Sequence, residues 1–313
     1  MSDESPSSDL TLREGTAADW AELSALFPRQ RAVGSLVNAA IWAHWVESEA
    51  STPIVAIRRG QIVGVANLRH LGPSEWWAEG VQLGAGVPEE VADALIEKLV
   101  ALFRERGDGI LRMGIAYQDE RLQAAAQEVG FRHRVTYQAY QAAAQPADFS
   151  PFRLLLEKNL GTVFRHLRSS PMYRTNRYTE HYGTLAYLTE ARLQSCLAAP
   201  AATPVLGWRQ FDQLHGVAIL ALQPPPGRFF RRSQLYISYL AAPDDTTFTD
   251  MLIALCGLAD HQQRTTVFWQ MPLGVGLEGP IERTPYRPIS GEQIWLYELP
   301  LRALLKDQYR VDE

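Results

Sequence analysis

The chain has 313 residues, 46% hydrophobic and 21% charged, with a net charge of −5. This describes a folded globular protein long enough for two domains, not a disordered one. The acidic balance argues against a nucleic-acid or anionic-membrane surface, which needs a basic face.

Lysine occurs only at Lys98, Lys158 and Lys306 among 30 basic residues, so lysine-nucleophile chemistry has almost no candidates. The polar, acidic start MSDESPSSD reads as a disordered N-terminus over 1–9 and resembles no signal or transit peptide. No apolar run reaches the roughly 20 residues of a membrane span. Cys196 and Cys256 lie in apolar segments far apart, as expected of reduced thiols in a cytoplasmic protein.

In chain order, LTLR (10–13) predicts a short strand. Thr16 and Asp19 predict a helix start of the capping-box kind, with an amphipathic stretch running to Phe27. A second helix fits 35–49. PIVAIRRGQIVGVANLRHL predicts two strands around a turn at Gly60, and EWWAEGVQL a further strand. From Pro88, taken as the first helical position, Val91, Leu95, Leu99, Leu102 and Phe103 keep a helical spacing. GILRMGIA predicts a strand, 119–129 a short helix ended by Gly130, and FRHRVTYQAYQA a final strand.

The second half repeats this order. GTLAYLTEARLQSCLAAP (183–200) matches the opening strand, threonine and helix, and Gly216-Val217-Ala218 echoes Gly64-Val65-Ala66. Pro243 stands for Pro88. A slowly drifting offset is the signature of a duplicated unit with small loop insertions. The expected division is therefore 10–147, a helical basic connector over 148–182, and 183–313. The connector carries Arg165, His166, Arg168, Arg174 and Arg177, either as a solvated face or as a seat for an anionic group.

This order, with Gly130-Phe131 closing the short helix, resembles the GNAT (GCN5-related N-acetyltransferase) superfamily. The resemblance implies an α/β (α+β) fold of two tandem GNAT-like domains, each a mixed, mostly antiparallel sheet flanked by helices. It implies an N-acyltransferase that moves an acyl group from acetyl-CoA or another acyl-CoA to an amine of a small molecule or peptide. Neither a metal nor nucleic acid nor a membrane is implied as a partner. In that family the acyl donor lies where the fourth and fifth strands splay apart, its pyrophosphate on a glycine-rich turn opening the long helix.

Here the turn departs from that pattern. Gly84 and Gly86 fall before the helix, and its first turn carries Glu89 and Glu90, which favour the helix dipole and repel a pyrophosphate. The second copy has Asp244 and Asp245 at this place and no glycine. Donor contacts are therefore expected from backbone along Val81, Leu83, Gly84, Gly86 and Val87. The family's usual acid, a tyrosine four residues before Gly130-Phe131, is Ala126. Glu79 is the candidate base, and the leaving thiolate takes its proton from solvent, Tyr117 or His133. A non-catalytic binding or scaffold protein that has lost the donor site, and an enzyme using another carrier, stay open beside this reading.

Two other motifs carry less. GVGLEG (274–279) has the dinucleotide spacing, but Pro280, Pro285 and Pro288 exclude the long helix that a dinucleotide site needs. PPPGRFFRRSQ (224–234) interleaves arginine with phenylalanine in one hairpin, which suits a contact between domains better than nucleic-acid stacking. The seven histidines show no metal-ligand spacing.

Overall fold

The computed structural model describes residues 9–26, 37, 39–72, 74–169, 178–181, 184–222, 233–274 and 276–301, with the backbone alone for 178–187. They fall into two compact units: Met1–Arg134 with Ile294–Glu313, and Val135–Gln293.

Unit 1 begins with β1 (Leu10–Glu14), a 3-10 turn (Ala17–Asp19) and α1 (Trp20–Leu26). The Asp19 carboxylate accepts the Thr16 backbone N–H at 2.7 Å and holds Arg13 at 2.5 Å, so the expected cap forms. Next come α2 (Ala39–Glu47), β2 (Ser51–Arg58) and β3 (Gln61–Gly72). The β2–β3 turn places Arg59 and Gly60 at φ 51° and 77°, the left-handed pair of a type I′ hairpin. Then follow β4 (Glu75–Leu83), α3 (Glu89–Arg106), β5 (Ile110–Ala116) and α4 (Glu120–Glu128). β6 (Arg132–Ala143) leaves the unit at Arg134.

The sheet of unit 1 runs β1-β2-β3-β4-β5, antiparallel except for the parallel pair β4–β5. One face buries Ala66, Leu68, Met113 and Ile115 against Leu95, Leu99 and Phe103 of α3. The other packs Val55 and Val65 against Leu23, Trp42 and Trp45 of α1 and α2.

Unit 2 contains β7 (Phe152–Leu155), α5 (Leu160–Ser169), a separate pair β8 (Tyr178–His181) and β9 (Thr184–Tyr187), and α6 (Glu190–Ala198). β10 (Val205–Gln210), β11 (Gln213–Ala221), β12 (Gln234–Ala241), α7 (Asp245–His261), β13 (Thr266–Pro272) and the five-residue α8 (Glu278–Glu282) complete it. Its β12–β13 pair is again the parallel one. Cys196 and Cys256 are buried and unpaired with each other, and burial pushes the Cys256 thiol up to about 11.

Two packing details repeat between the units. A Cβ on Gly64 would stand 3.0 Å from Leu95 of α3, and one on Gly216 2.4 Å from Met251 of α7. Each glycine thus lets the long helix close on the third strand of its sheet. Asn159 likewise accepts the Leu156 backbone N–H at 2.9 Å, at the place that Asp19 holds in unit 1.

The strand that flanks β10 as β1 flanks β2 is β7, not β9. The match of 183–200 to the opening of unit 1 is therefore corrected: 152–169 holds that place, and 184–187 pairs with 178–181 instead. The segment expected as a connector contributes a sheet-edge strand as well as a helix.

The chain's last strand, β14 (Arg287–Pro300), was not singled out by its pattern. From Ile294 to Pro300 it pairs antiparallel with β5 and completes unit 1. In unit 2, β6 from Tyr137 to Ala143 pairs with β13, where sequence order alone would put β14. Each sheet is finished by a strand from the other half of the sequence.

Candidate functional site

The parallel ladder of β4 and β5 ends at Ala78 opposite Met113, although β4 runs on to Leu83 and β5 to Ala116. Beyond that point the two strands separate. A bulge sits here on β4: the register with β3 skips between Asn67–Glu79 and Val65–Gln82. Gly80 takes φ 62°, and a Cβ on it would stand 2.2 Å from the Trp45 ring. Only glycine satisfies both the left-handed backbone and that close approach.

Glu79 lies on the α2 side of the separation and is 4% exposed. Its Oε1 accepts Asn67 Nδ2 at 2.9 Å and Arg69 Nη1 at 3.4 Å, while Oε2 stands 3.5 Å from the same guanidinium. A carboxylate offers about four lone-pair directions, so the longer contact leaves Oε2 the better placed to take a further donor. Asn67 and Arg69 alternate with the apolar residues Ala66 and Leu68 on β3. Two polar residues two apart on a strand share one face, and that signal for the Glu79 partners was readable in the sequence.

Tyr117 and His133 lie elsewhere. Tyr117 follows β5 and its ring centroid is 5.6 Å from that of Trp295, whose centroid is 4.8 Å from His133. Trp295 pairs with Ile115 and packs on the α3 side of the sheet. The structure therefore brings Tyr117 and His133 together around Trp295, a residue of β14 that sequence reasoning missed, and puts Glu79 on the opposite face. Ala126 is buried in the α3-side cluster.

The loop opening α3 is a tight turn. Val87 N–H donates to the Gly84 carbonyl at 3.3 Å, with Gly86 at φ 71°, and Gly84 N–H donates to Val63 at 2.9 Å. Two of the amides expected to face a donor are thus used within the fold. Pro88 is the N-cap with extended backbone, outside the helix rather than at its first position, and it has no N–H to offer. Glu90 pairs with Arg58 at 3.3 Å, and Arg121 of α4 donates to the Val87 carbonyl at 2.8 Å. Val81 and Leu83 pack towards α3.

Unit 2 has a parallel separation, with the β12–β13 ladder ending at Ile237 opposite Trp269. The N-cap of α7 is Asp244, one residue after Pro243. Its carboxylate accepts Thr247 N–H at 2.7 Å and Thr247 Oγ1 at 3.1 Å. This helix start carries its own anion. Phe248, fully buried, packs 5.6 Å from Trp269 at the point where the strands part. The corresponding residues of unit 1, counted from the N-cap and the last strand pair, are Ala92 and Met113.

Of the other sequence features, the GVGLEG segment leads only into the five-residue α8. PPPGRFFRRSQ lies almost wholly outside the described residues, as do Arg174 and Arg177. Arg165 and Arg168 are exposed on α5, whereas His166 is turned inward with Nε2 3.1 Å from the His215 carbonyl. Burial lowers the His166 pKa. Among the described residues no group of three or more His, Cys, Asp or Glu is placed to hold a metal ion. Among them too, no helix is long and apolar enough to cross a membrane.

A long helix connecting the two strands of a splayed parallel pair, found in each of the two units, is the arrangement of the GCN5-related N-acetyltransferase fold. Solved structures agree over nearly the whole chain. The GCN5-related N-acetyltransferase from Sphaerobacter thermophilus superposes with a TM-score of 0.64 at 8% identity, covering 93% of this chain and 95% of that one. A putative acetyltransferase from Pyrococcus horikoshii gives 0.58 at 10% identity over 96% and 93%. A tandem GNAT protein from the clavulanic acid biosynthesis pathway gives 0.58 at 12% identity over 93% and 98%. No protein-family model and no curated protein matches the sequence. The chain therefore has a two-domain GNAT fold, established by shape at identities where sequence no longer carries the relation.

Proposed function

We propose that the protein is an N-acyltransferase in which unit 1 takes the acyl donor, an acyl-CoA, and passes its acyl group to an amine of a small molecule or peptide. The observation that carries this reading is the separation of β4 from β5 beyond Ala78–Met113, with the Glu79 carboxylate beside it. The freed edge of β4 around Val81 and Leu83 offers backbone groups to the amide-bearing pantetheine arm. The turn at Gly84, Gly86 and Val87 borders the helix start.

In this reaction the amine nitrogen attacks the thioester carbonyl carbon and the carbon–sulfur bond breaks. The ammonium proton passes through a water to Glu79, and the thiolate takes a proton from solvent. Tyr117 and His133, on the other sheet face, have no part in that transfer. The second reading, a binding protein without turnover, is favoured by the Asn67 and Arg69 contacts that already engage Glu79.

Thiol release from acetyl-CoA with a panel of amines separates the two. Wild type should turn over, and Glu79→Gln should lose at least about 10²-fold in kcat/KM, the lower end of what a positioned base contributes. Equal turnover by both would clear Glu79 of the role. No turnover with any donor would leave the binding-protein reading.

A further inference from the structure

The start of α3 is poorly suited to hold phosphate, so the affinity for a nucleotide-bearing donor has to come from another contact. Pro88 has no N–H, the Val87 amide is used within the turn and that of Gly84 on the Val63 carbonyl of β3, and Glu89 and Glu90 are negative. A neutral aromatic ring is indifferent to those charges. Arg121 ties the first turn of α4 to the Val87 carbonyl at 2.8 Å, which sets the β5–α4 loop beside this helix start.

That loop presents Tyr117. The residue is 52% exposed, yet its backbone is held. Gln123 Nε2 donates to the carbonyls of Ala116 at 3.1 Å and Tyr117 at 2.9 Å, fixing the backbone. The Trp295 ring packs on that of Tyr117 with centroids 5.6 Å apart and the planes tilted by 47°, and His133 in turn packs on Trp295. An exposed ring whose backbone is held and which already packs on another ring loses little freedom when a flat group settles on it.

We propose that Tyr117 is the stacking seat for the adenine ring of the donor nucleotide in unit 1, with Trp295 as its support. This rests on the acyl-CoA reading above. Stacking on an aromatic side chain needs no hydrogen-bond code and tolerates an acidic neighbourhood. It assigns the aromatic group around Trp295 to recognition of the donor's far end, away from the reacting carbonyl.

Calorimetry with CoA, with pantetheine (which lacks the nucleotide) and with adenosine 3′,5′-bisphosphate tests it on wild type, Tyr117→Ala and Tyr117→Trp. Wild type should bind CoA on the order of ten- to a hundred-fold more tightly than pantetheine, the range for one stacked base. Tyr117→Ala should bind both alike with pantetheine binding unchanged, and Tyr117→Trp should keep the preference. Circular dichroism of each variant establishes that the fold is intact. If Tyr117→Ala keeps the full preference for CoA, or wild type shows none, the stacking seat is overturned while the donor reading stands. Nucleotide binding that depends on Tyr117 without any thiol release would support the seat and count against catalysis. Failure of all three probes to bind wild type would overturn both.

Discussion

In unit 1 the long helix opens on Pro88 and Glu89, and the residues at the fourth position after the N-cap and at the last strand pair are Ala92 and Met113; in unit 2 it opens on Asp244, and they are Phe248 and Trp269. The same buried position thus holds small or flexible side chains in one copy and two large rings in the other. Asp244 satisfies the amide of Thr247 with a carboxylate of the chain itself, which is what a bound anion would otherwise do. Phe248 and Trp269 bring two large rings to the point where unit 1 has a methyl group and a thioether. On the proposed function, the two units keep one topology while unit 2 sets buried aromatic area, which stabilises it directly, where unit 1 takes the donor.

The largest effect expected from breaking this comparison is Phe248→Ala. It removes a fully buried ring and should cost about 3–5 kcal/mol of stability, read by denaturant unfolding, with CoA affinity unchanged. Loss of CoA binding by a still-folded variant would place the donor in unit 2.

Asp244→Ala should cost about 1 kcal/mol through the lost cap. It should leave thiol release unchanged, and a gain of CoA binding in unit 2 would show that the carboxylate alone had excluded it.

The smallest effect sharpens the comparison through pH. The Arg13 guanidinium holds the Asp19 carboxyl down to about 2, against a usual 3.8, in spite of its burial. A carboxyl with a depressed folded-state pKa contributes stability that is present above about pH 4 and lost as pH falls towards 2. Unit 2 has Asn159 at this place, which does not titrate. Asp19→Asn should therefore flatten the acid limb of the stability curve between pH 4 and 2, measured by thermal unfolding. An unchanged slope would mean the Arg13–Asp19 pair is absent in solution.

The elements that were legible in the sequence are those whose signals are local. The turn at Gly60, the run EWWAEGVQL, the periodic apolar residues of α3 and the Thr16–Asp19 start all mark themselves within a few residues. Pro88 was misplaced by one position, because its fixed φ suits an N-cap as well as a first helical residue. β7 is only four residues long, FRLL, and carries no turn or alternation strong enough to name it a strand. β14 opens on Arg287-Pro288 and contains Gly291, both breaker signals, so its 14-residue length comes from pairing with distant strands rather than from its own pattern. For the same reason no local feature reveals that Ile294–Pro300 closes unit 1, or that Trp295 would support Tyr117. Glu79 was legible as a carboxylate near a strand splay; its engagement by Asn67 and Arg69 depends on the cross-strand register that sets Asn67 opposite Glu79.

Hydrogen exchange of the wild-type protein with and without acetyl-CoA tests most directly that unit 1 is the donor half. Slowed exchange is predicted for 79–92 and 117–121 on adding acetyl-CoA, with 238–248 of unit 2 unchanged. Protection confined to 238–248, or none in either unit at saturating acetyl-CoA, would contradict the account.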